Sequence, residues 1–273
     1  DEAVSRSAGA ALMTGLLAWL ALIAAPRPAD ATILKTKRPR ELALTVGSGF
    51  EYATDSEQSE YGYPFLIDYG FSDKFKLTLE PSYVVLRSKA GGSVSGLGDL
   101  ETTLESELVR ERRYRPALTL EGIVKWPTAR HDELGTGEFD YTLGVLLGKE
   151  FVGWDADFNA TYTFVGSPPG AHLQNTVEVS LASEWHLSHT LSIVGEVVTT
   201  HGSGVFRGQP GSISGIGGLP KVGSEAVSND SEGTLGLAEH LNRHLKLEEG
   251  GILKTDGSWQ MVFGWEWDFG EGD

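Results

Sequence analysis

The 273-residue chain contains no cysteine. That absence excludes disulfide scaffolds, cysteine-ligated zinc and thiol nucleophiles together. Basic residues are scarce: 22 Lys and Arg face 38 Asp and Glu, for a net charge of −16. Nucleic-acid binding draws its affinity from clustered Lys and Arg, so this balance argues against a nucleic-acid partner. Long apolar runs are also missing beyond the first thirty residues. No later segment approaches the roughly 20 apolar residues that a transmembrane helix needs. What the chain has in quantity is glycine, 35 residues, together with 7 Trp, 8 Tyr and 11 Phe. Such a composition suits an all-β protein with many turns.

The first residues read as a targeting segment. Arg6 precedes an apolar run from Ala10 to Ala25, and Ala29 and Ala31 then flank Asp30. A basic residue, a run too short to span a bilayer comfortably and a small-residue site predict a cleavable secretory signal over 1–31, cut after Ala31. Residues 1–31 carry a charge of −1, leaving −15 on 32–273. Asp1 and Glu2 stand where an initiator Met would be expected, which points to an incomplete upstream end.

Residues 32–273 carry twelve segments of period-two alternation. The last is the clearest: Trp259, Met261, Phe263, Trp265, Trp267 and Phe269 alternate with Gln260, Val262, Gly264, Glu266 and Asp268. Side chains on a strand point to opposite faces, so this segment has one aromatic face and one mostly polar face. Similar segments run from about Leu42 to Tyr52, Tyr61 to Phe71, Phe75 to Val85, Leu97 to Leu108 and Leu118 to Trp126. They continue at Phe139 to Phe151, Trp154 to Phe164, Leu173 to Trp185, Leu191 to Thr200, Ser231 to Leu241 and Leu245 to Leu253. The segments near 231 and 245 are weaker, because Glu239 and Glu249 fall on the apolar parity.

The connections form a second pattern. Short joints at Ser72–Lys74, Arg110–Arg115, Val152–Gly153, His186–Thr190 and Asn242–His244 alternate with mostly longer ones rich in Gly, Pro and Ser. Alternating turns and loops are expected of an antiparallel up-and-down barrel in a bacterial outer membrane, with periplasmic turns and external loops. Trp and Tyr crowd the ends of the apolar faces, as in the aromatic belts of the two membrane interfaces. Strands of this length, about twice the usual five or six residues, fit a membrane span. Closure follows because open edges would leave backbone groups unpaired in hydrocarbon, at several kcal/mol each. The predicted fold is therefore an all-β transmembrane barrel of about 12 strands, with outer-membrane lipid and the barrel-insertion machinery as partners.

With the aromatic face outside, the other face lines the lumen. Asp99, Glu101, Glu105 and Glu107 share one face of the fourth segment, and Glu121 and Lys125 share parity on the fifth. Asp68, Lys76, Glu80, Asp155, Asp157, Glu178, Glu184, Glu196, Glu266 and Asp268 join the inward set. The candidate solute pathway is therefore Asp68, Lys76, Glu80, Asp99, Glu101, Glu105, Glu107, Glu121, Lys125, Glu178 and Glu196. Carboxylates in a confined wall attract cations, which would favour cations or neutral solutes over anions; alternatively the charges only keep the lumen wet. The long Gly- and Ser-rich stretch at about 201–230 is either a lid over the mouth or an external loop.

Enzymatic and metal constellations are scarce. His186, Ser188 and His189 fall in a predicted polar turn, and His131, Asp132 and Glu133 match no standard metal spacing. Gly202, Gly204 and Gly208 are not followed by a helical pattern, so a phosphate cradle has little support. No catalytic residue, metal site or cofactor is expected.

Several phrases resemble the bacterial outer-membrane barrel family associated with the MetA pathway of phenol degradation, whose members are often called transporters. They are Ser95-Gly96-Leu97-Gly98-Asp99-Leu100, Pro116-Ala117-Leu118, Lys125-Trp126-Pro127-Thr128, Leu134-Gly135-Thr136-Gly137 with Phe139-Asp140-Tyr141, and Tyr162-Thr163-Phe164-Val165-Gly166. The resemblance implies uptake or efflux of small aromatic or other apolar compounds. The four residues after Phe269 depart from such barrels, which commonly finish on the aromatic residue itself. Three functions stay open: a channel for small solutes, a structural or surface-interaction barrel with an occluded lumen, and a barrel lipid hydrolase, for which the outer rim offers no evident nucleophile.

Overall fold

The computed structural model describes residues 43–54, 58–131, 133–168, 173–202, 228–255 and 257–270. The signal segment predicted over 1–31 lies outside them, as do residues 203–227 of the long stretch. The described strands are β1 (Leu44–Thr54), β2 (Gln58–Gly70), β3 (Phe75–Glu80), β4 (Ser82–Ser88), β5 (Ser93–Leu97), β6 (Leu100–Val109) and β7 (Ala117–Trp126). They continue as β8 (Asp140–Phe151), β9 (Trp154–Phe164), β10 (Thr176–His186), β11 (Leu191–Gly202), β12 (Ser228–His240), β13 (Leu245–Lys254) and β14 (Trp259–Asp268). All pairings are antiparallel, and β1 pairs with both β2 and β14, so the sheet closes on itself. At the seam, the amide of Phe269 donates to the carbonyl of Leu44 at 2.7 Å.

These strands occupy twelve positions around the barrel. β4 and β3 pair with successive stretches of β2 in one unbroken register, Pro64 with Ser82 and Ile67 with Leu79, so together they fill one position. Pro81, which has no N–H to donate, marks their junction. β5 and β6 fill the next position, but here the register slips. Glu80 pairs with Glu101 while Tyr83 pairs with Leu97, so three residues on one strand face two on the other. This is a β-bulge, and it re-aims side chains. Leu97 points outward, and Gly98 and Asp99 are both buried. The predicted fourth segment, Leu97 to Leu108, is thus corrected to two strands, and the stretch before it forms a hairpin from the ends of β4 and β5.

Apolar side chains are displayed, not hidden. Leu181 is 61% exposed and Leu235 67% exposed, both near the middle of their strands. Among the described residues a buried hydrophobic cluster is formed by the small side chains Ala182, Val194 and Ala238. Aromatic residues ring the two ends of the outer face. Tyr52 meets Trp259 and Trp126 meets Phe139 at the loop end. Phe71 stacks on Phe75 and Phe151 on Trp154 at the short-turn end. A chain coated this way removes its apolar area from water only by entering a bilayer.

Candidate functional site: the lumen and its mouth

Inward parity gathers charge on three parts of the inner wall. The first lies on β2, β3, β6 and β7. Lys76 Nζ sits 2.7 Å from Glu105 and 3.9 Å from Asp68. Thr78 Oγ1 donates to Asp68 Oδ1 at 2.5 Å. Across the strand pairs, Glu80 faces Glu101, Glu101 faces Lys125, and Glu105 faces Glu121. Gly144 on β8 makes room for Glu121: a Cβ there would overlap the Glu121 carboxylate. Toward the short turns, Glu107 pairs with Arg110 at 3.3 Å.

The second part lies at the loop-side mouth. Lys125 Nζ pairs with Asp140, lies 4.0 Å from Asp99 and donates to Thr136 Oγ1 at 3.0 Å. Asp99 Oδ1 accepts the amide of Ala129 at 2.9 Å, and the amide of Leu100 donates to Thr128 Oγ1 at 2.8 Å. Gly135 packs so tightly that a Cβ would stand 2.7 Å from both Asp99 oxygens. Leu134, 1% exposed, lies beside Gly96 on the inner face of β5. The connection between β7 and β8 is therefore folded inward and fastened. The Ser95–Leu100, Lys125–Thr128 and Leu134–Gly137 phrases, separate along the chain, form one assembly here.

The third part lies on β9, β10 and β11. Asp157, Asn159, Thr161, Glu178, Ser180, Glu196 and Thr200 are all inward and buried, and Thr200 Oγ1 donates to Glu178 Oε2 at 3.1 Å. At its short-turn end, His186 Nε2 is 3.3 Å from Asp155 and Nδ1 is 3.1 Å from Ser192 Oγ. His186 thus ends β10 against the inner wall, a correction to its predicted place in a turn. The Ser–His–Asp order of contacts falls at the opposite end from the outer rim that a lipid hydrolase would use.

The predicted pathway residues divide among these regions. Asp68, Lys76, Glu80, Glu101, Glu105, Glu107 and Glu121 share the first wall. Asp99 and Lys125 belong to the mouth, and Glu178 and Glu196 to the third wall. Sequence reading passed over Asp140 and the inward cations Lys246 and Lys254, which pair with Glu248 and Glu232. The signal for the two lysines was the parity of β13, obscured by Glu249, Gly250 and Gly251. Glu249 takes the outward position between Leu237 and Phe263. Among the described residues no group of three or more His, Cys, Asp or Glu could hold a metal ion. Asp132, Gly204 and Gly208 lie outside the described residues.

Taken together, a closed antiparallel barrel with an apolar coat and a charged interior has the fold of bacterial outer-membrane channels. The chain is similar to the crystal structure of the COG4313 outer membrane channel from Pseudomonas putida F1, with a TM-score of 0.70 and 11% identity over 87% of this chain and 100% of that one. It is also similar to the NanC porin, with a TM-score of 0.54 and 8% identity over 82% of this chain and 98% of that one. No protein-family model matches the sequence, and no curated protein matches it.

Proposed function

We propose that this protein is an outer-membrane channel for small solutes whose acidic inner wall favours cations and neutral compounds over anions. The carrying observation is the sign of the inner face. Buried carboxylates occupy all three parts of the wall, and among the described residues the lysines Lys76, Lys125, Lys246 and Lys254 each already contact a carboxylate. A wall of fixed negative charge raises the local cation concentration and repels anions. The phenol-degradation resemblance supports small aromatic or apolar permeants. Inward Leu66, Val84, Leu146, Val198 and Ile252 lie buried among the charged groups of the wall. Planar-bilayer recordings across a KCl gradient test the sign: the reversal potential should report cation preference, and anion preference would overturn the proposal. Liposome swelling with charged and neutral aromatics would rank the permeants.

The inward-folded β7–β8 connection favours a second reading, a structural barrel with an occluded lumen. Under it the Lys125–Asp99–Asp140 fastening would be permanent. Absence of conductance in both the native chain and a variant with the fastening removed would select this reading.

A further inference from the structure

The chain is strongly acidic, yet four of its 22 Lys and Arg fall within the six residues from Arg110 to Arg115. They occupy the joint between β6 and β7, residues 110–116, the longest of the described short-turn joints. Its backbone is held in place. Arg112 and Arg115 exchange both amide-to-carbonyl hydrogen bonds, at 2.8 and 3.0 Å, which leaves Arg113 and Tyr114 at the tip. Tyr114 is 85% exposed, and the Arg113 guanidinium lies over its ring, 5.1 Å from the centroid.

The anions beside this joint are already engaged. Arg110 pairs with Asp73 and Glu107, and Glu111 pairs with Lys149. Arg112, Arg113 and Arg115 are exposed and form no ion pair among the described residues; the Arg115 guanidinium donates to a neutral partner, the carbonyl of Arg110, at 3.1 and 3.3 Å. Like charges set directly across a strand pair repel, and Arg112 stands directly across from Arg115. An anion between them turns that repulsion into attraction. Phosphate suits the place, because each guanidinium can offer its oxygens two parallel N–H donors.

Position in the barrel identifies the source of that phosphate. β6 pairs with β3 and β7 with β8, so the joint is flanked by the Phe71–Phe75 stack on one side and the Phe151–Trp154 stack on the other. These rings belong to the aromatic belt at this membrane interface, and Leu108, 55% exposed, carries the apolar coat up to the joint. The three arginines therefore stand at the level of the lipid headgroups, where basic residues are drawn to anionic lipid. We propose that Arg112, Arg113 and Arg115 form a docking site for anionic phospholipid, phosphatidylglycerol in type, in the leaflet at the short-turn end. The site requires the oily face to be outside and is independent of whether the lumen conducts.

Leu108→Cys and Leu187→Cys, each carrying a fluorophore on the full barrel, compare the two sides. Leu187 is 59% exposed and lies in the β10–β11 joint, residues 187–190, which has no Lys or Arg. The barrels are reconstituted in vesicles of fixed phosphatidylglycerol and phosphatidylcholine content, with bromine on the chains of one lipid or the other. Quenching then reports the local ratio of the two lipids. At Leu108 phosphatidylglycerol should exceed its bulk ratio by about fivefold or more, and at Leu187 the bulk ratio should hold. Arg112→Gln, Arg113→Gln and Arg115→Gln together should return Leu108 to the bulk ratio, with folding checked by the heat-dependent gel shift. Raising NaCl to about 0.5 M should cut the enrichment at Leu108 at least about twofold with the three arginines in place, a readout that needs no loss of a residue. A bulk ratio at Leu108, equal enrichment at Leu187, or enrichment that survives the salt or the triple substitution would overturn the site. None of these outcomes bears on conductance, so the channel reading stands or falls separately.

Discussion

An arginine placed on each face of the same wall distinguishes coat from lumen. Leu181 lies near the middle of β10, is 61% exposed, and is flanked by outward Phe158 and Val197. Leu181→Arg puts a guanidinium against the hydrocarbon midplane, where barrels lose about 2 to 4 kcal/mol. Thr161→Arg places the same group on the inner face, where its cross-strand neighbours are Glu178 and Gly144. There the guanidinium finds the Glu178 carboxylate, which offsets part of the about 1 to 3 kcal/mol that overpacking a buried position costs, so Thr161→Arg should cost about 2 kcal/mol less than Leu181→Arg. Urea titration of barrels reconstituted in lipid vesicles, followed by tryptophan fluorescence, reads both. The gap of about 2 kcal/mol corresponds to more than tenfold in the folding equilibrium. Equal costs at the two positions, or a larger cost at Thr161, would refute the assignment of faces.

Other substitutions address the mouth and the wall. Lys125→Met removes the cation shared by Asp99 and Asp140 and leaves buried charge uncompensated, so it should destabilise by about 3 to 5 kcal/mol in the same titration. Asp99→Ala frees the amide of Ala129, and trypsin should then cleave after the exposed Arg130 several times faster than in the native barrel. Gly144→Ala drives a Cβ into Glu121 and should cost about 1 to 3 kcal/mol, with much of that loss recovered when Glu121→Ala is added.

How much of this was legible in the sequence depends on the range of the interactions involved. Alternation from Trp259 to Phe269 follows from local geometry, and it gave the strand, its faces and its aromatic ends. Repeated eleven more times with short and long joints, it gave the barrel. The bulge after Leu97 was hidden, because parity alone puts Leu97 and Asp99 on one face and only the slipped register separates them. The mouth was hidden for another reason: Asp99 and Ala129 are thirty residues apart, and nothing local says that the β7–β8 connection turns inward. The phrases marking that assembly were visible as Gly-rich motifs, while their meeting point was not. On β13, Glu249 and two adjacent glycines blurred an alternation that the neighbouring strands enforce.

In this barrel oily side chains meet lipid while charged ones face the interior. Because the chain has no cysteine, single Cys substitutions at Leu143, Leu181, Leu235 and Leu253 can carry nitroxide spin labels without background. In reconstituted vesicles these labels should relax strongly with oxygen, which partitions into hydrocarbon, and weakly with a water-soluble nickel chelate. Labels relaxed by the nickel chelate and shielded from oxygen would contradict the account.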